Sequence, residues 1–156
     1  MEDNAVSDFK TIIYEVSARI LEDWGMMMVD PAPEETQIFD FNEPFYLATI
    51  QFHGLMSGRY TVICQKAFMQ TLAANLLGDD QAEDGKDSLD ALKEMANVLC
   101  GNLLTECYGE DAVFDLVLPE VTKVDGEQVK QLFSDRTVSY LADDEPVAVT
   151  FDLQGE

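Results

Sequence analysis

The sequence predicts a single α+β domain over residues 1–156, in which a pseudo-symmetric α-β-β repeat builds an antiparallel sheet with two long helices packed on one face. Three observations predict it. Two long stretches carry apolar residues at helical spacing, each is followed by a short β-type run ending near a proline, and each half then closes on a hairpin pattern. A chain of 156 residues supports one well-buried core rather than two. The halves share an order of elements, with connections of different length, and no clear sequence identity.

The first helix is expected from about Val6 to Trp24, with Phe9, Ile12, Ile13, Val16, Ile20 and Leu21 on one face and Gly25 as its stop. Met26 to Val29 reads as a short strand, ended by Asp30-Pro-Ala-Pro-Glu-Glu, where the prolines break a regular ladder. Pro44 to Phe52 and Tyr60 to Gln65 are rich in β-branched and aromatic residues and flank a turn at His53–Gly58, so they form a hairpin. Helical spacing returns from Gln65 to Leu77, and an acidic connector follows over residues 78–86. The second long helix starts with Asp87 or Ser88 as N-cap and runs to about Tyr108. A strand at Val113–Leu118 is stopped by Pro119, a short helix is expected near Gln128–Phe133, and Arg136–Leu141 with Val147–Leu153 form a second hairpin around Ala142–Pro146.

At roughly 100° per residue, Asp90, Glu94, Asn97 and Gly101 fall within a narrow arc of the second long helix, opposite Leu92, Ala96, Leu99 and Leu103. The free side therefore carries an acid and an amide three residues apart, close enough to reach into one partner together. Gly101 costs about 1 kcal/mol of helix propensity relative to Ala, and a close approach of another backbone is the expected reason for it.

Thirty-one acidic residues against nine basic ones give a net charge of −22, which repels a phosphate backbone and disfavours anionic membranes. Nucleic acid and membrane are thus not expected as partners. The chain opens on Met-Glu-Asp-Asn without a basic, then apolar, leader, and no apolar run approaches the roughly 20 residues that span a bilayer. A cytoplasmic location is the expectation. Cys64, Cys100 and Cys107 lack metal-ligand spacing and read as reduced core thiols. The acidic connector fails as a calcium loop, because counting from Asp80 puts Ala82 and Ala91 where ligands are required. His53 reads as a turn residue without a Ser or Cys partner, Met26–Met28 as core or dimer interface, and Gly54 and Gly58 as turn glycines.

With the helix, its amide and the repeat in hand, the chain resembles the CheC/CheX/FliY family of chemotaxis phosphatases. Their signature is Asp or Ser, three residues, Glu, two residues, Asn, and a proline after about twenty-two more. Asp90, Glu94 and Asn97 fit that spacing and Pro119 falls one residue short of it. The motif covers about thirty residues and the repeat extends the likeness over most of the chain. The first long helix contains no Glu-x-x-Asn, so the chain is most similar to CheX, whose members have one site and form homodimers.

The resemblance implies a substrate: the phosphorylated aspartate of a CheY-like response regulator, in a shallow acidic pocket with a bound Mg²⁺ that the regulator supplies. The chain would have no cofactor or metal of its own. Asn97 would orient the attacking water, since its amide both donates and accepts, and Glu94 would anchor to the regulator's active-site Lys. Asp90 and Pro119 would shape the helix and its neighbouring loop. A chain so acidic approaches an acidic pocket against its own field, so recognition is expected from local complementarity near the helix, with Lys93 a candidate cation. Two alternatives stand beside this: a non-catalytic receiver-binding or flagellar-switch-like module, and an acidic secretion chaperone suggested only by size and charge.

Overall fold

Alternation decides how the strands lie. In Phe45–Gly54 (β2) the residues Ala48, Ile50 and Phe52 are fully buried on one face, and in Gly58–Cys64 (β3) Tyr60, Val62 and Cys64 match them, so the two pair as a hairpin from Tyr46 opposite Cys64 to Phe52 opposite Gly58. The computed structural model describes residues 2–32, 38–77 and 85–154. The acidic connector lies largely outside the described residues. In chain order the remaining elements are helix α1 (Glu2–Asp23), strand β1 (Val29–Pro31), helix α2 (Lys66–Leu77), helix α3 (Gly85–Tyr108), strands β4 (Phe114–Leu116) and β5 (Glu120–Val124), helix α4 (Gly126–Lys130), and strands β6 (Val138–Ala142) and β7 (Glu145–Leu153).

All pairings among the described strands are antiparallel, in the order β1-β6-β7-β3-β2-β4, with β5 also on β2. That order is its own mirror when β1 is exchanged with β4, β2 with β6 and β3 with β7. The pseudo-two-fold therefore passes between β3 and β7, near Val62 opposite Val149. Each half lends its first short strand to the other half's hairpin, so neither half completes a sheet alone. α1 packs on β6 and β1, and α3 packs on β2 and β4, the same relation twice.

Helices α1, α2 and α3 share the face with the larger core. α3 buries Leu92, Met95, Leu99, Leu103 and Leu104, and α1 buries Ile13, Val16 and Leu21, against Ile50, Phe52, Tyr60, Val62, Tyr140, Val147 and Val149. Each such side chain removed from water contributes about 1.5–3 kcal/mol. The opposite face has a smaller core of Phe39, Phe45, Ile63, Val129 and Ala148, closed by Phe41 and Phe133 with ring centroids 5.3–6.4 Å apart. Its lid is α4, whose N-cap Asp125 accepts from the Gln128 N–H while Gln128 Oε1 accepts from the Asp125 N–H.

Several boundaries differ from the sequence reading. The first short strand is Val29–Pro31 rather than Met26–Val29: Met26 takes a left-handed φ of 54° and the Met27 N–H still bonds the Leu21 carbonyl, so the chain is leaving the helix there. Pro31 sits at the end of an edge strand, where a missing N–H costs no ladder bond. α3 begins at Gly85, which places Asp87 in the first turn instead of at the cap. The strand expected at Val113–Leu118 shortens to Phe114–Leu116, and β5 resumes the same edge after Pro119. The short helix lies at Gly126–Lys130, earlier than Gln128–Phe133, because the capping box at Asp125 fixes its start. The second hairpin turns in two residues, Asp143 and Asp144, with φ of 49° and 66°, a type I′ turn that extends β6 and β7 beyond their expected ends.

Candidate functional site

α3 explains the position of Asp90, Glu94 and Asn97. Its apolar face is sealed against the sheet, so the opposite face is left to solvent, and Asp90, Lys93, Glu94 and Asn97 are all exposed on it. Two rows result: Asp90 and Glu94 are four residues apart, and so are Lys93 and Asn97. Gly109 ends the helix in a left-handed φ of 91°, its N–H bonding the Thr105 carbonyl.

The second wall comes from the sheet edge. Leu116 pairs opposite Phe52 and Glu120 opposite Thr49, so three residues, Val117, Leu118 and Pro119, span the two β2 residues Ile50 and Gln51. This is a bulge. It is why Phe114, Leu116 and Val121, an odd step between the last two, all pack on the helix side. The Val117 N–H holds the bulge to the Gln51 carbonyl at 2.8 Å, and Pro119, with no N–H to offer, stands where the ladder is broken.

Between these walls lies an open groove of about 400 Å³ lined by Asp90, Lys93, Glu94, Asn97, Leu116, Leu118 and Pro119. Four of the five residues singled out in the sequence therefore meet in one place, Pro119 among them despite its one-residue shortfall. Gly101, the fifth, does not line the groove. A Cβ at Gly101 would meet nothing within 4 Å, so no described backbone of this chain itself makes the close approach expected there. Leu116 and Leu118 are the lining residues that the sequence reading missed. Their signal was the apolar run Val113–Leu118 continuing to the proline, which reads equally as an ordinary strand.

Among the described residues no hydrogen-bond or ion-pair partner holds the side chains of Asp90, Lys93, Glu94 or Asn97. The neighbouring amide is different: Asn102 Nδ2 donates to the Val98 carbonyl of its own helix at 2.8 Å. Asn97 thus presents a free amide and Glu94 a free carboxylate, both on a rigid helix. Among the described residues no group of three or more His, Cys, Asp or Glu is placed to hold a metal ion. The thiols are not in the groove. Cys64 and Cys100 are buried and Cys107 half-buried, all unbridged, and burial pushes the Cys100 thiol up to about 12.

In α1, the corresponding long helix of the first half, there is no Glu-x-x-Asn, and Phe9 and Ile12 pack into the main core, Phe9 stacked on Phe151 at 5.3 Å. No described helix is long and apolar enough to cross a membrane.

Comparison with known proteins agrees with this architecture. The sequence profile of the family described as chemotaxis phosphatase CheX matches residues 46–151. No curated protein sequence gives a significant match. Among solved structures the chain is similar to a chemotaxis protein CheX from Desulfovibrio desulfuricans, with TM-score 0.69 and 15% identity, covering 94% of this chain and 99% of that one. It is similar to CheX from Vibrio vulnificus, with TM-score 0.69, 12% identity and coverage of 94% and 96%. It also matches a chain of the CheX–CheY–BeF₃–Mg²⁺ complex from Borrelia burgdorferi, with TM-score 0.61, 14% identity and coverage of 92% and 96%. At these identities the structures establish a shared fold, and the profile establishes the family. A two-fold α-β-β repeat with one exposed Glu-x-x-Asn helix, matched by that profile over most of its length, makes this chain a member of the chemotaxis phosphatase CheX family.

Proposed function

We infer that the chain is a response-regulator phosphatase that hydrolyses the aspartyl phosphate of a CheY-like receiver, with one site per chain. The observation that carries this reading is the groove in which Glu94 and Asn97 stand unpartnered beside Pro119. A related CheX has been captured in a complex containing CheY, BeF₃ and Mg²⁺, which supports a receiver as the partner here.

An acyl phosphate is intrinsically labile, so hydrolysis asks mainly for an in-line water and for the partner to be held. Asn97 does the first. Its carbonyl oxygen accepts from a water while its NH₂ donates, which orients the lone pair without offering a competing nucleophile. Glu94, one turn away on the same rigid helix, does the second by pairing with the receiver's active-site lysine, which fixes how far α3 enters the pocket. The Mg²⁺ that belongs to the receiver neutralises phosphoryl charge when bound. Asp90 and Pro119 stand on the two walls of the groove and shape the helix and its neighbouring loop.

The reading includes a homodimer. β1 forms one outer edge of the sheet, and Met26 and Met28 beside it are 61% and 74% exposed, an apolar patch at an unpaired edge.

The test is phosphate release from purified phosphorylated receivers with and without the chain. Acceleration of at least one receiver supports the reading. Receivers that bind but lose phosphate at their own rate would overturn it in favour of a non-catalytic receiver-binding module.

A further inference from the structure

The bulge that forms the sheet-side wall does more than end a strand. Its backbone is tied on both sides, by the Leu116–Phe52 and Glu120–Thr49 pairings, and in the middle by the Val117 N–H. Leu118 is therefore unable to fold back onto the core and stands 84% exposed at the rim of the groove. In a regular edge Leu118, two residues after Leu116, would lie on the same helix-side face as Leu116 and pack there; the bulge breaks that alternation and leaves the side chain at the rim of the groove. Across the groove stands Lys93, the one cation among its lining residues, beside Asp90 and Glu94.

Resting on the phosphatase reading above, we propose that Leu118 is the apolar anchor by which the chain docks on an activated receiver domain, burying its side chain against the receiver's surface beside the carboxylate-lined phosphorylation pocket, while Lys93 faces those carboxylates. The chain's net charge of −22 opposes an acidic partner at a distance. Association then depends on forces that act at contact: burial of an exposed leucine, and one cation placed where the partner is most negative. An anchor of this kind acts on holding the partner and not on the attacking water, so it governs KM and leaves kcat to Asn97.

The experiment is steady-state dephosphorylation by the full chain with Leu118→Ser, and with Val113→Ser as a control. Val113 is 78% exposed on the same edge and lies outside the groove. Leu118→Ser should raise KM for the phosphorylated receiver about tenfold, as loss of an interface anchor does, with kcat retained, and Val113→Ser should change neither. An unchanged KM in Leu118→Ser would overturn the anchor and leave the phosphatase reading standing. If the wild-type chain hydrolyses no receiver, that reading fails by itself, and the anchor is then decided by titration with BeF₃-activated receiver: tighter binding by wild type than by Leu118→Ser supports it, and equal binding overturns it.

Discussion

Asp143 fastens the two halves together, and its removal should cost more than any other change on that surface. In the type I′ turn its φ is 49°, a left-handed conformation that Asp tolerates better than Ala. Its carboxylate accepts from the Met28 N–H at 2.8 Å and from the Asn75 amide at 3.5 Å, while its own N–H donates to the Met28 carbonyl at 2.8 Å. Asn75 also donates to the carbonyls of Gly25 and Met26. One side chain thus ties the second half's hairpin to the connector entering β1 and to α2. Asp143→Ala forfeits a charged hydrogen bond, about 1.5 kcal/mol at this exposed site, and adds about 1 kcal/mol of left-handed strain. The sum is about 2–3 kcal/mol, or about 4–12 °C in Tm for a domain of this size. Asp144→Gly, at φ 66° and with no such bonds, should instead be neutral or stabilising by up to about 1 kcal/mol. Thermal and urea unfolding of both variants decide it. Equal effects from the two substitutions would refute the clasp and reduce the site to an ordinary turn.

Two further outcomes follow from burial and from the open edge. Burial raises the pKa of Cys100 to about 12, and raises those of Cys64, Tyr60 and Tyr140 as well. Because the folded chain holds these protons where the unfolded chain has lost them, their contribution is complete below about pH 9 and declines as pH rises through the folded values. Urea unfolding between pH 8 and 11 should show falling stability, with a shallower fall in Cys100→Ala; a flat profile would contradict the burial. Sedimentation at micromolar concentration should give a dimer that Met28→Lys shifts toward monomer, whereas a wild-type monomer would remove the β1 edge as an interface.

The long helices, both hairpins and the motif were legible in the sequence because each rests on a local period: Leu92, Leu99 and Leu103 recur at helical spacing, and Ala48, Ile50 and Phe52 at two. Glu94, Asn97 and Pro119 were legible through their spacing. β5 was not, since Glu-Val-Thr-Lys-Val has no strong alternation of its own and becomes a strand through pairing with Phe45–Thr49 of β2. The bulge escaped for the same reason: whether Val117–Pro119 is a stop or an extra residue depends on the two β2 residues opposite. The exchange of β1 and β4 between halves, and the second core under Phe39 and Phe41, depend on contacts far apart in sequence, which no local pattern reports. At Gly101 the sequence suggests a close backbone, and within the described residues of this chain the space around it is open.

In the proposed division of labour Asn97 positions the attacking water while α3 as a whole holds the receiver. Single-turnover dephosphorylation of a receiver by Asn97→Ala, paired with titration of the same variant against the BeF₃-activated receiver, separates the two roles. Asn97→Ala should lose about 10²–10³-fold in rate, equivalent to about 3–4 kcal/mol of transition-state stabilisation, with binding within about twofold of wild type. A variant that hydrolyses at the wild-type rate, or one that loses rate only because it no longer binds, would rule that division out.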